Sequence, residues 1–331
     1  MKKVFISIIL IISAVFLLSR CSNDVDLYAD YKDITIVYGV LDASDDTAWV
    51  KITKAFSGPG NALTIAHNPD SSNYPNKLLA TLNGKINNNE LPPIVLDTIT
   101  IYNKLEGDSI FYYPGQLVYY TTEALDLDAT YTLNIDNKEE MITAETPLIG
   151  GFTVTYPFNT MDFMFDHEIK WNSVKNAKRY EVTTIFNYTE FLPGSYTDTL
   201  NLQIILETIY TNPVKISKNA DGGENLEIPY TGENFFTEIV NKLENIPNIQ
   251  RWSGPIEVII SAGSEVLHYY IEINDAASGS LLQELPSYTN IQNGTGIFAS
   301  RHNIVKVTRL SGASERELVE NLNLGFRYKT K

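Results

Sequence analysis

Apolar and polar positions alternate with a period of two along most of the chain. Ile34-Thr35-Ile36-Val37-Tyr38-Gly39-Val40 is a β-branched and aromatic run, and residues 49–56, 77–83, 97–102, 116–122 and 130–135 alternate. This period sends successive side chains to opposite faces of a strand. Turn-forming clusters separate the runs: Gly58-Pro59-Gly60-Asn61, Asn87-Asn88-Asn89 and Glu106-Gly107-Asp108. Many short strands punctuated in this way predict a sandwich or barrel. The first unit spans residues 28–148 and ends on the strand 142–147, which runs into Pro147. Leu148-Ile149-Gly150-Gly151 is the expected link to a second unit, residues 149–331.

In that second unit Glu168-Ile169-Lys170-Trp171 precedes Ala177-Lys178-Arg179-Tyr180-Glu181-Val182. A Trp on one strand followed by Ala-x-x-Tyr-x-Val on the next resembles the fibronectin type III pattern, over about 15 residues. The resemblance implies that Trp171 and Tyr180 pack between two sheets. Further strands are predicted at 200–207, 256–262 and 267–273. One helix stands out near 233–245, where Phe235, Phe236, Ile239, Val240 and Leu243 share a face. Thr231 or Gly232 is placed to cap it, and Pro247 to stop it. A shorter helix is predicted at 313–321. The expected fold is therefore mainly β: two β-sandwich domains of immunoglobulin/fibronectin-like class, the second with one or two inserted helices.

The N-terminus breaks the alternation. Lys2 and Lys3 are followed by fifteen residues, 4–18, that are apolar apart from Ser7 and Ser13. This is signal-peptide length and short of the roughly 20 residues that span a bilayer. Cys21 is the only cysteine in the chain and comes directly after it. The pattern reads as a lipoprotein signal, 1–20, cleaved before Cys21, whose thiol takes a diacylglycerol and further acyl chains of the palmitate type, with residues 21–27 as a tether. Arg20 departs from the small residue usual before such a cysteine. The expected location is the cell outer membrane, lipid-anchored, on its periplasmic or its extracellular face. The lone cysteine leaves no intramolecular disulfide, so the core must hold the fold.

The chain carries 25 basic and 40 acidic residues, a net charge of −15. Residues 1–20 hold Lys2, Lys3 and Arg20 and nothing acidic, so processing lowers the charge to −18. A surface of this sign repels nucleic acid. The four histidines, His67, His167, His268 and His302, are scattered. No nucleophile elbow, phosphate loop or dinucleotide fingerprint occurs, so neither an enzyme site nor a cofactor is expected. Asp166-His167-Glu168 reads as a solvated strand segment.

Other features suit binding or modification. The acidic loops Asp42-Ala43-Ser44-Asp45-Asp46 and Asp221-Gly222-Gly223-Glu224-Asn225 offer the hard oxygens that Ca²⁺ takes, with Asp42, Asp45 and Asp46 as candidate ligands. Both also read as plain polar turns. Among 20 tyrosines the doublets Tyr112-Tyr113, Tyr119-Tyr120 and Tyr269-Tyr270 are expected to put one ring inside and one outside, where it can stack on a glycan or meet a protein. In the segment 287–301, Tyr288, Asn290, Asn293, Gly294, Gly296 and Phe298 form a candidate binding loop, or else a buried closure of the domain. Asp followed by Ser or Thr and an aliphatic residue occurs at Thr47, Thr98, Ser109 and Thr199. It resembles the O-glycosylation sequon of exported Bacteroidetes proteins, and about one match is expected by chance at this composition.

The lipoprotein start, Ile36-Val37-Tyr38, Lys54-Ala55-Phe56, Thr143-Ala144-Glu145-Thr146-Pro147 and the stretch Tyr288-Thr289-Asn290-Ile291-Gln292-Asn293-Gly294-Thr295-Gly296-Ile297-Phe298 together resemble surface lipoproteins of the Bacteroidetes that carry a large domain of unknown function. The resemblance implies no catalytic residues. It does imply a nutrient-uptake or envelope role, since similar lipoproteins are often encoded near TonB-dependent transporters. The leading expectation is a binding or accessory subunit of an outer-membrane transport or surface complex. A structural or adhesive surface protein is the alternative, and a glycan or peptide hydrolase comes last.

Overall fold

The computed structural model describes residues 34–55, 62–102, 115–191, 195, 198–278 and 288–328. The signal segment, Cys21, the tether, Ser109, Tyr112-Tyr113 and Ser287 lie outside the described residues. The alternating runs form strands. In the first half these are β1 (Ile34–Asp42), β2 (Ala48–Ala55), β3 (Leu79–Ile86), β4 (Asn89–Glu90), β5 (Ile94–Val95), β6 (Asp97–Ile101), β7 (Gln116–Thr121), β8 (Thr130–Asp136) and β9 (Met141–Pro147), with short helices α1 (Ala62–Ala66) and α2 (Pro69–Ser72). The second half holds β10 (Val154–Tyr156), β11 (Thr160–Met161), β12 (His167–Asn172), β13 (Ala177–Phe191), β14 (Thr199–Leu206), β15 (Val214–Ile216), β16 (Asn225–Tyr230), α3 (Gly232–Lys242), β17 (Gln250–Ser264), α4 (Glu265–Ser278), β18 (Gly294–Leu310) and α5 (Gly312–Glu320).

One large sheet runs through both halves in the order β14-β13-β17-β18-β1-β2-β7-β6. Its inner face is covered twice. Over the first half lies a sheet of β4-β3-β8-β9 with β5, and over the second a sheet of β10-β12-β16. The molecule is thus a mainly β, sandwich-class protein, with no closed barrel among the described residues.

Two hydrophobic cores fill the gaps. The first gathers Val37, Val50, Leu82, Tyr119, Leu133, Ile135 and Phe298. The second gathers Trp171, Tyr180, Val182, Phe186, Phe235, Ile256 and Val258. Trp171 on β12 meets Tyr180 on β13 at 5.6 Å between ring centroids, so the pair joins the two sheets as the Trp/Tyr pattern implies. Burial pushes the Tyr180 hydroxyl up to about 12. Fully burying an aliphatic or Phe side chain of these cores, such as Val182 or Phe186, stabilises by about 1.5–3 kcal/mol. Leu148 is buried in the first core and Ile149 in the second, so the chain passes from one core to the other there. β18 is common to both: its start pairs parallel with β1 and its remainder antiparallel with β17. Ile291 and Phe298, read from sequence with the second unit, are buried in the first core.

Two local expectations are corrected. Residues 267–273, expected as a strand, belong to helix α4. Ser264 sits just before it, and its Oγ accepts from the Leu267 N–H at 3.5 Å. Val266, Leu267, Tyr270 and Ile271 are half-buried, while Glu265, Tyr269 and Glu272 face out, so a helical period is satisfied where β-branched and aromatic residues suggested a strand. Helix α3 forms where its apolar face predicts, but Thr231 makes no side-chain cap. Asp166 supplies it instead: its Oδ1 accepts from the Gly232 N–H at 2.9 Å. The helix ends at Lys242, ahead of Pro247.

Candidate binding surface

The loop that enters β18 is a clasp. Asn290 Nδ2 donates to Phe298 O at 2.7 Å and to Glu145 O at 3.2 Å, while its Oδ1 accepts from the Phe298 N–H at 2.9 Å. Asn293, at φ 58, donates to Met141 O at 2.9 Å. Gln292 and Thr143 exchange backbone bonds of 2.8 and 3.3 Å. Gly294 and Gly296 lie opposite Thr35 and Val37 of β1. At Gly296 φ is +109, and a Cβ would fall 2.0 Å from Val37 O. Phe298 is in the core, and Tyr288 is half-buried, its ring 6.2 Å from that of Tyr269. Of the six residues of this candidate loop, the asparagines are engaged with backbone groups and the glycines admit a neighbouring strand.

The acidic loop is similarly occupied. Asp42 is buried, and its carboxylate accepts from Ser44 N at 2.9 Å, Arg301 Nε at 2.5 Å and Asn303 Nδ2 at 2.7 Å. Asp45 and Asp46 are exposed and line a shallow groove of about 460 Å³ with Thr47 and Glu123. In the second acidic loop Glu224 accepts from Ser217 and from the Lys218 N–H, and this hydrogen bonding lowers its pKa. Among the described residues no group of three His, Cys, Asp or Glu side chains is arranged to hold a metal. Thr47 and Thr98 are half-buried and Thr199 is exposed.

The histidines stay apart. His167 lies between Tyr156 and Tyr230, each 6.1 Å away between centroids. Burial lowers the pKa of both His268 and His302. The Tyr119-Tyr120 doublet behaves as a strand doublet should: Tyr119 is in the core and Tyr120 points out. Tyr269-Tyr270 lies on α4 and does not follow the strand rule.

A surface that the sequence reading missed lies on the outer face of the large sheet. Ile204 and Leu206, Thr184 and Phe186, and Val258 and Ile260 face inward and are buried. Ile205, Ile185 and Ile259, one residue out of phase with them, therefore face outward. Ile205 lies directly opposite Ile185, Ile259 opposite Val305, and Val307 opposite Glu257. The result is an aliphatic strip across four strands, about 14–15 Å wide. Ile205, Val305 and Val307 are 44%, 51% and 59% exposed. Glu257 stands within the strip, between Ile185 and Val307, and accepts from Asn187 at 3.1 Å, while Asn187 and Gln203 lie beside it. Helix α4 covers the neighbouring part of the same face, with Leu267 over Gly263 and Arg179 paired to Glu272 at 3.2 Å. Beyond α4 the outer face turns aromatic. Trp49 and Tyr120, cross-strand neighbours, have centroids 5.4 Å apart, and Trp49 and Tyr38 are exposed.

A signal for the strip was present in the sequence. Strands with one wet face alternate, whereas Ile256-Glu257-Val258-Ile259-Ile260 and Ile304-Val305-Lys306-Val307 carry apolar residues at both parities. Chemically the strip can exclude water against another apolar surface. The carboxylate within it, Glu257, accepts from Asn187. No protein-family model matches the chain, and no curated protein matches it.

Proposed function

We propose that the protein is a lipid-anchored binding or accessory subunit of an outer-membrane transport or surface complex, and that its protein partner seats on the outer face of the large sheet. The observation that carries this reading is the aliphatic strip of Ile185, Ile205, Ile259, Val305 and Val307, left open beside the part that α4 covers. Exposed aliphatic side chains gathered on one face around a few polar groups, here Glu257 and Asn187, mark a site of association. The N-terminal pattern ending at Cys21 supports the anchor, and the acidic surface argues against nucleic acid. A glycan-binding reading has one observation in its favour, the exposed Trp49–Tyr120 ring pair on the same face.

The test is co-purification from native membranes with the double substitution Val305→Lys and Val307→Lys, which places no like charge opposite Glu257. Both side chains point to solvent, so stability should change by no more than about 0.5 kcal/mol each. The co-purifying partner should be lost. Unchanged recovery of the same partner from the variant would contradict the reading.

A further inference from the structure

Among the described residues the large sheet ends on this side at β14, with no further strand paired to it. It is eight residues long and contains no charged residue and no proline, in a chain of net charge −15. Its pairing with β13 runs from Thr199 to Leu206 without a bulge. Edge strands are normally guarded by a charge, a proline, a bulge or a covering element, because their unpaired backbone groups template another strand. Here Lys242 Nζ donates to Ile205 O at 2.8 Å and guards only the C-terminal end. That bond also fixes the direction of the backbone groups. Ile205 turns its carbonyl away from β13, and antiparallel ladders alternate, so Gln203, Asn201 and Thr199 aim their N–H and C=O groups outward as well. Leu200 and Leu202 lie between them, 46% and 37% exposed, while Ile204 and Leu206 further along are in or against the core.

We propose that this edge pairs with the same edge of a second copy of the chain, antiparallel, about a twofold axis at Asn201. Thr199 then lies opposite the second copy's Gln203, and Asn201 opposite its own counterpart. Each outward-facing pair exchanges both of its N–H···O bonds. Leu200 meets the second copy's Leu202, and Leu202 its Leu200, so the exposed leucines of the strand cover each other. An isologous interface must be self-complementary, and Leu200-Asn201-Leu202 supplies this about its centre. Elsewhere two strongly acidic copies repel, but the uncharged edge brings no like charges together. The Lys242–Ile205 bond lies outside the ladder and is kept. Strand pairing alone makes a small interface, so association is weak and concentration-dependent. Anchoring both copies in one membrane would raise their effective concentration, but the pairing does not depend on the anchor.

Sedimentation and disulfide capture of the full-length chain test this. Wild type should dimerise with rising concentration, and Leu202→Lys should be monomeric with an unchanged thermal transition. Asn201→Cys should form a disulfide-linked dimer on mild oxidation, since facing Cα atoms there are about 5.5 Å apart and within disulfide reach. Leu200→Cys and Leu202→Cys should cross-link efficiently only when mixed. Wild type, which retains Cys21, sets the background. A wild-type chain that stays monomeric, a Leu202→Lys variant that dimerises like wild type, or an Asn201→Cys variant that cross-links no faster than background would overturn the proposal.

Discussion

Asn290 holds the backbone of Phe298 from both sides, accepting from its N–H and donating to its carbonyl. It does for the start of β18 what a neighbouring strand would do. Its truncation to alanine should cost on the order of 1–3 kcal/mol, the penalty for stranded polar groups. Gly296→Ala should cost more than about 1 kcal/mol, since a Cβ there collides with Val37 O at a positive φ. Chemical denaturation of the two variants checks both figures, and wild-type stability in both would return the loop to candidacy as a ligand site. That this segment mattered was legible, because asparagines and glycines among aromatic and aliphatic residues mark a backbone under special constraint. Which role it had was not, because the partners of Asn290 and Asn293 include Glu145 and Met141, far away in sequence. Asp42 repeats the point. It read as a candidate cation ligand, and its partners Arg301 and Asn303 lie at the other end of the chain.

At the scale of elements, alternation located the strands and the apolar face located α3. Helix α4 was misread for a physical reason. Its residues include Val266, Ile271, Ile273 and paired tyrosines, all of which favour strands, while packing onto β18 and β13 selects the helix. The Ser264-Glu265 start was the available contrary signal. Capping shows the same limit in reverse. Asp166 looked like a solvated strand residue, yet it satisfies the first N–H of α3. Asp166→Ala should therefore lower stability by about 0.5–2 kcal/mol, the usual range for a lost N-terminal cap, with Asp166→Asn retaining most of it. Thermal or urea unfolding of the pair distinguishes a cap from a surface residue, for which neither change would register.

Across the whole molecule, the sandwich class followed from the period-two pattern and the turn clusters, but the single sheet joining the two cores did not. It depends on the parallel pairing of β1 with β18, whose partners in register are 259 positions apart, and no local pattern encodes such a partner. The outer face of that sheet was hidden for the same reason: Ile205, Ile185, Ile259 and Val305 come from four strands and become neighbours only when the sheet is assembled. The central claim is that an anchored envelope protein offers this face to a protein partner. Site-specific photo-cross-linking in intact cells tests it most directly, with the probe at position 307 and, for comparison, at the exposed Val95 on the other sheet. The expected result is one discrete membrane-protein adduct from position 307, none from position 95, and loss of the adduct when Cys21→Ala removes the anchor. Absence of any adduct from position 307, or the same adducts from both positions, would contradict the account.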